Sequence, residues 1–291
     1  MRKYSDPISQ KKFGSSRIIR DVFRIPKWMP INAELQHGWA AHDLIVDKTD
    51  KTTVILVWSR RMVEVLQNIG FKKYFVITNP YISYRKKKYV KRDNTIGTVF
   101  FPQHTDEGWT VTYNIDELSK ELLNLPKSYQ PVTICLYDFD YQNKKVRAKF
   151  EEKFKVVSAG NIYNEHFIDK FYNILCRHKY SASNAIGTYT FYSIELNIPF
   201  FVLDQDWGHI SKSNSKINGF GRDDYLQKFP EYKKAHELFS FDKSGIIKDK
   251  QKKYVRAEMG LSGKDPKILV QLVLLLRGLW MYIRFVLKQL S

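Results

Sequence analysis

From Gly97 onward, short runs rich in β-branched and aromatic residues alternate with segments of helical period. The order is TVFF (98–101), IDELSKELLNL (115–125), PVTICLY (131–137), KVRAKFEEKF (145–154), KVVSAG (155–160) and IDKFYNILCRHKY (168–180). Strands separated by helices pair in parallel, because a parallel neighbour needs a crossover long enough to hold a helix. This alternation predicts a mostly parallel sheet with helices on both faces. A smaller α/β half precedes it, between Asn32 and about Tyr81. Its pieces are the polar turn QHGWAAHD, the buried run TTVILVW, the helix SRRMVEVLQNIG closed by Gly70, and the strand KYFVITNP.

The basic stretch SYRKKKYVKRDNT (83–95) shows no periodicity and is read as a linker. The expected organisation is therefore an N-terminal lobe over 1–95, a larger lobe over 96–265 and a terminal helix over 266–291. Residues 206–265 are polar, with a weak helical pattern, and are expected to be loops around one or two helices.

Hydrophobic residues at 43% and aromatics at 15% are enough for folded cores and argue against a disordered chain. The 48 Lys and Arg outnumber the 30 Asp and Glu, so the partners of a chain with net charge +18 are anionic: nucleic acid, a membrane face or phosphorylated ligands. Cys135 and Cys176 have neither metal-site nor disulfide spacing, which fits a reducing compartment. The opening MRKYSDPISQKKFGSSR has no apolar core of the secretory type. A cytoplasmic location is expected.

Residues 181–204, SASNAIGTYTFYSIELNIPFFVLD, read as a polar turn, a short helix and a buried strand. Ser181, Ser183, Asn184, Gly187 and Thr188 put small side chains and backbone N–H groups at a helix N-terminus, where the dipole favours a phosphate. The same residues also serve as ordinary caps. Gln36-His37-Gly38-Trp39, with His42 and Asp43 close behind, offers an imidazole on a loop after a strand, and His37 is the candidate general base. Asp138-Phe139-Asp140 follows the strand PVTICLY and suggests a divalent-cation site, although Asp204-Gln205-Asp206 repeats the pattern. The run Arg85-Lys86-Lys87-Lys88-Tyr89 allows a nucleic-acid or anionic-surface binding module, but no zinc finger, helix-turn-helix or RNA-recognition signature accompanies it.

The tail KILVQLVLLLRGLWMYIRFVLKQLS is almost long enough to span a bilayer but carries Arg277, Arg284 and Lys288 near one stripe. A helix lying in an anionic membrane interface is expected, against the alternative of a last helix packed on its own core.

QHGW, VILVWSRRMVEVL and VITNPYISYR, followed by FFPQHTDEGW, VVSAGNIYNEHF and SNAIGTYTFYSIELNIPFFVL, resemble the CDP-glycerol glycerophosphotransferases and the related capsule and polysialic-acid glycosyltransferases of the GT-B fold. The resemblance covers roughly residues 32–204. It implies an α/β, GT-B-like chain: two Rossmann-like lobes, the N-terminal one shortened, and a C-terminal amphipathic helix. It further implies transfer of a sugar or polyol phosphate from a nucleotide-sugar or CDP-polyol donor to a saccharide or lipid-linked acceptor, at the inner face of the cell membrane, without nucleic acid, metal or cofactor. His37 is then the base, and Ser183, Asn184, Gly187 and Thr188 hold the donor phosphates. Gln103 and His104 close over them, and Ser158, Gly160 and Asn161 receive the nucleobase. The family's ribose-binding acid falls at Tyr192, and its following glycine at Asn197.

Overall fold

The structure, a computed structural model, describes residues 12–36, 38–39, 54–88, 92, 94–212 and 220–290. The chain forms two compact units, one from Met1–Val90, Ile162–Ile168 and Tyr254–Ser291, the other from Lys91–Asn161 and Asp169–Lys253.

The first unit opens with α1 (Ser15–Phe23), which buries Ile18, Ile19, Val22 and Phe23 at helical spacing. Gly14 before it has φ +71°, and a Cβ there would stand 2.2 Å from the Glu165 main-chain oxygen, so only glycine fits. β1 (Ala33–Leu35), β2 (Val54–Val57) and β3 (Tyr74–Val76) form a parallel sheet in that order, with Glu34 beside Ile55 and Leu56 beside Phe75. Between β2 and β3 runs α2 (Arg60–Asn68). Its first turn is capped by the Ser59 hydroxyl, which accepts from the Met62 N–H, and its Met62 and Leu66 pack on Ile55, Val57 and Phe71.

The segment expected as a linker begins instead inside a helix, α3 (Pro80–Lys88). Asn79 Oδ1 accepts from the N–H groups of Tyr81 and Ile82, proline occupies the first helical position, and Tyr81, Ile82 and Tyr84 are buried. A cap and three buried side chains outweigh the mutual repulsion of Arg85, Lys86, Lys87 and Lys88, whose place in the last turn also suits the helix dipole.

In the second unit, β4 (Thr98–Phe101) leads through β5 (Trp109–Thr112) to α4 (Ile115–Leu123). β6 (Val132–Cys135), α5 (Asp138–Gln142), α6 (Lys144–Glu151) and β7 (Lys155–Val157) follow. Then come α7 (Phe167–Cys176), whose first two residues belong to the first unit, β8 (Tyr180–Ser183), α8 (Thr188–Glu195) and β9 (Phe200–Val202). The five-stranded sheet has the order β7-β6-β4-β8-β9, with every neighbour parallel. Its core joins Phe100, Ile134 and Phe201 from the strands to Leu118, Leu122 and Phe150 from the helices. Each such side chain contributes ~1.5–3 kcal/mol by leaving water.

β8 corrects the sequence reading. Tyr180–Ser183 is a central strand buried along its whole length, not a turn. Its small side chains let the flanking elements approach closely, and the Ser183 hydroxyl satisfies the Ala185 N–H at 3.0 Å. Residues 206–265, expected as loops around one or two helices, hold two strands and three helices. β10 (Gly208–Ser211) pairs antiparallel with both β5 and β11 (Phe220–Gly221), and α9 (Arg222–Lys228), α10 (Pro230–Phe239) and α11 (Asp249–Glu258) follow. The last helix, α12 (Lys267–Leu290), belongs to the first unit.

Candidate functional site

In a parallel sheet all strands end on one edge, and the loops beyond that edge come together. Here the chain runs from β4 outward to β6 and β7, then returns to build β8 and β9 on the other side of β4. The reversal lies between the loops that follow β4 and β8, where an open α/β sheet leaves a crevice.

Gln103 and Asn184 meet at this point. The Gln103 N–H donates to Asn184 Oδ1 at 2.7 Å, and Trp207 Nε1 donates to the Asn184 main-chain oxygen at 2.9 Å. Asn184 is wholly buried, and among the described residues its Nδ2 has no hydrogen-bond partner. A buried unsatisfied donor costs about 1–3 kcal/mol, so a ligand acceptor at this atom would gain by meeting it. The Gln103 amide lies 3.2 Å from His209 Nε2, and the rings of Trp207 and Trp109 surround the imidazole. Burial pushes the His209 pKa down to about 4 and keeps the ring neutral near pH 7, although Asp106 pulls the other way.

Further along the edge, the His104 ring stacks on Tyr137 at 4.2 Å, and Tyr137 stacks on Phe139 at 6.1 Å. Lys212 Nζ lies 4.9 Å above the Phe139 ring. Below this ladder, Asp140 Oδ2 accepts from the Thr105 N–H at 3.0 Å. Its pKa is raised by burial, an effect that the same N–H opposes. Asp138 Oδ2 accepts from Asn161 Nδ2 at 3.1 Å, tying the β6 loop to the β7 loop. In the latter the Ser158 hydroxyl accepts from the Gly160 N–H at 3.0 Å, Gly160 has φ +81°, and Lys170 Nζ stands beside it.

Of the residues expected from sequence, Gln103, His104, Ser158, Gly160, Asn161, Asn184, Gly187 and Thr188 all lie at or just beyond this edge. Ser183 ends β8, fully buried, with its hydroxyl 2.8 Å from that of Tyr189. Tyr192 does not belong with them. It lies in the core on α8, its ring against Phe171 and Tyr172 of α7, because the helix turns that position toward its neighbour instead of toward the loops.

The turn before α8 is also more self-contained than its sequence implies. The N–H of Ala185 is held by the Ser183 hydroxyl, that of Ile186 by the Tyr232 hydroxyl and that of Gly187 by Thr190 Oγ1. The Gly187 amide, expected to face a phosphate, and its two neighbours are thus engaged within the protein.

Asp138, Asp140 and Asp204 of the two DxD pairs serve structural ends here. Asp138 and Asp140 fix loops, and Asp204 pairs with Arg222. Among the described residues no group of three or more His, Cys, Asp or Glu side chains has metal-binding geometry.

His37, His42 and Asp43 lie outside the described residues. Their neighbours show why the QHGW sequence is organised as it is. Gln36 is buried at the end of β1, its Oε1 accepting from the N–H groups of Trp58 and Ser59 and its Nε2 donating to the Ser59 hydroxyl and the Gly38 oxygen. Trp39 Nε1 donates to Glu258 Oε2 at 2.7 Å. Gln36 and Trp39 are thus each tied to the first unit by side-chain hydrogen bonds.

Sequence reasoning passed over Tyr137, Lys170, Trp207, His209 and Lys212. Tyr137 follows the apolar strand β6 directly, and that position was a usable signal. His209 and Lys212 reach the edge only through the pairing of β10 with β5.

Fold and site together define an α/β protein with parallel sheets, whose larger sheet carries a polar and aromatic loop cluster at its C-terminal edge. No model of a known protein family matches the chain, and no curated protein does.

Proposed function

We propose that the protein transfers a glycosyl or polyol-phosphate group from a nucleotide-activated donor to a saccharide or lipid-linked acceptor, with the donor seated at the C-terminal edge of the five-stranded sheet. The observation that carries this reading is the strand order β7-β6-β4-β8-β9, all parallel, with its reversal at β4 and β8. Open sheets of this kind bind nucleotides at that point.

The chemistry around the reversal suits such a donor. The His104–Tyr137 stack offers a flat surface to a base, Lys170 and Lys212 oppose diphosphate charge, and the dipole of α8 adds to them. In a GT-B-like enzyme the other lobe presents the acceptor, and we assign His37 as the base there. The base takes the proton from the acceptor hydroxyl, the oxygen attacks the transferred carbon or phosphorus, and the nucleotide leaves with the bond electrons. The scheme needs no cofactor beyond the donor itself.

Thermal unfolding in the presence of CMP, CDP, UDP or GDP tests the reading. One of them at about 100 times its dissociation constant adds about 2.7 kcal/mol of stability. His104→Ala, at a half-exposed position, and Lys212→Ala, at an exposed one, should fold as the parent and lose most of that gain. If none of the four nucleotides stabilises the parent, the donor site is refuted. If one does but His37→Ala retains full transfer, the base assignment falls and the site stands.

A further inference from the structure

α12 has two faces of opposite fate. On one, Val270 and Leu274 are buried, and Gly278 packs so closely on the segment after α1 that a Cβ would come within 2.5 Å of Met29 Cγ and 2.6 Å of the Pro30 oxygen. On the other, Ile268, Leu272, Leu276, Leu279, Ile283 and Leu287 recur at helical spacing, and all are exposed, Leu276 at 68%. Only 17% of the apolar stretch Lys267–Leu287 is buried. Single exposed leucines are ordinary, but a continuous stripe over about five turns of helix marks a surface that something covers.

The flanks of the stripe identify what covers it. Arg277 and Arg284, two turns apart, share one flank. There a groove of about 420 Å³ is lined by Asn32, Lys73, Leu276, Arg277 and Trp280, and the Arg284 guanidinium lies 4.6 Å over the Trp280 ring. On the opposite flank the exposed Trp28 meets Tyr282 edge to face at 5.2 Å, with exposed Lys27 next to it in sequence. α12 itself contains neither Asp nor Glu. The stripe is therefore bordered by cations and by Trp and Tyr, the side chains that settle at the boundary between lipid headgroups and acyl chains.

We propose that this face docks on an anionic lipid bilayer, with α12 lying in the plane of the interface, its leucines among the acyl chains and its basic flank among phosphates. A second copy of the chain suits the surface poorly, because a two-fold pairing would bring arginines against arginines with no carboxylate on either helix. A transmembrane span would have to free Val270, Leu274 and Gly278 from the packing that holds them. The proposal is independent of the transferase reading, since lipid binding is read without any donor or acceptor.

The test is flotation of the purified full chain with vesicles of phosphatidylcholine alone or of equal parts phosphatidylcholine and phosphatidylglycerol. The parent should float with the anionic vesicles, less as salt rises, and be released by alkaline carbonate. Leu272→Glu with Leu276→Glu replaces two exposed side chains, so the melting temperature should hold while binding falls by more than about tenfold. Arg284→Gln should weaken binding by about fivefold, the share of one cation near an anionic surface. The proposal is overturned if the parent floats with neither vesicle or if the double variant binds as well as the parent. It fails equally if carbonate leaves the chain in the membrane, or if light scattering finds a dimer that the double variant abolishes.

Discussion

His209 makes the fold acid-sensitive in a way that can be worked out in advance. Its folded pKa is pushed down by burial to about 4, against an unfolded value of 6.5. Between those values the unfolded chain binds a proton that the folded one refuses, so stability is complete above about pH 6.5 and is lost as pH falls toward 4. Integrating the single titration from about pH 7 to about pH 5 gives a loss of about 2 kcal/mol. The assay is urea unfolding, followed by tryptophan fluorescence across that range, of the parent and of His209→Gln. Glutamine does not titrate and can still reach Gln103. The variant will be less stable near neutrality, since the ring packed against Trp207 is gone. The informative quantity is the slope, which should be shallower than the parent's by about 2 kcal/mol over the range. His178 and His236, also pushed down by burial, and Asp140, pushed up, remain in both proteins and cancel in the difference. Parallel pH profiles would refute the claim that His209 is held neutral by burial.

Gln36→Ala should cost about 3 kcal/mol in urea unfolding, because it leaves the buried N–H groups of Trp58 and Ser59 without an acceptor; a loss under about 1 kcal/mol would mean that water replaces the amide. Gly278→Val should destabilise by about 1–3 kcal/mol through its clash with Met29 and Pro30, visible as a lower melting temperature, while the neighbouring exposed Leu279→Val should change it little. Both thiols are buried, and burial raises that of Cys135 to about 12, so neither cysteine should react with a thiol reagent at neutral pH until the chain is unfolded in denaturant.

The regular parts of the fold were legible because their side chains obeyed a single rule. VILV of β2 and VTIC of β6 are apolar runs ended by polar turns, and α2 and α4 announce themselves with Ser59 and Asn114 as caps. β8 was hidden because YSAS reads as polar, although a central strand needs only to be buried and satisfied. α3 was hidden behind its charges, its cap and apolar face lying before them in the sequence. In the site, Gln103, His104 and Asn161 were named through the family resemblance alone, and they lie in loops that follow strands. Lys212 and His209 depend on an antiparallel pairing across some hundred residues, a separation at which periodicity carries no information. Tyr192 was misplaced because motif alignment fixes a position along a helix and not the side on which it faces.

The first unit is finished by the last part of the chain. Asn79 donates its N–H to the Met259 oxygen, Thr78 its hydroxyl to that of Gly260, and Trp39 its indole to Glu258, so β1 to β3 lack these supports until residues 258–260 exist. On a ribosome, the stretch 91–253 emerges in time to mature while its older neighbour is still waiting. Removing the segment from 254 onward therefore does more than shorten the chain: it takes from the first unit the three bonds that residues 258–260 supply to Trp39, Thr78 and Asn79.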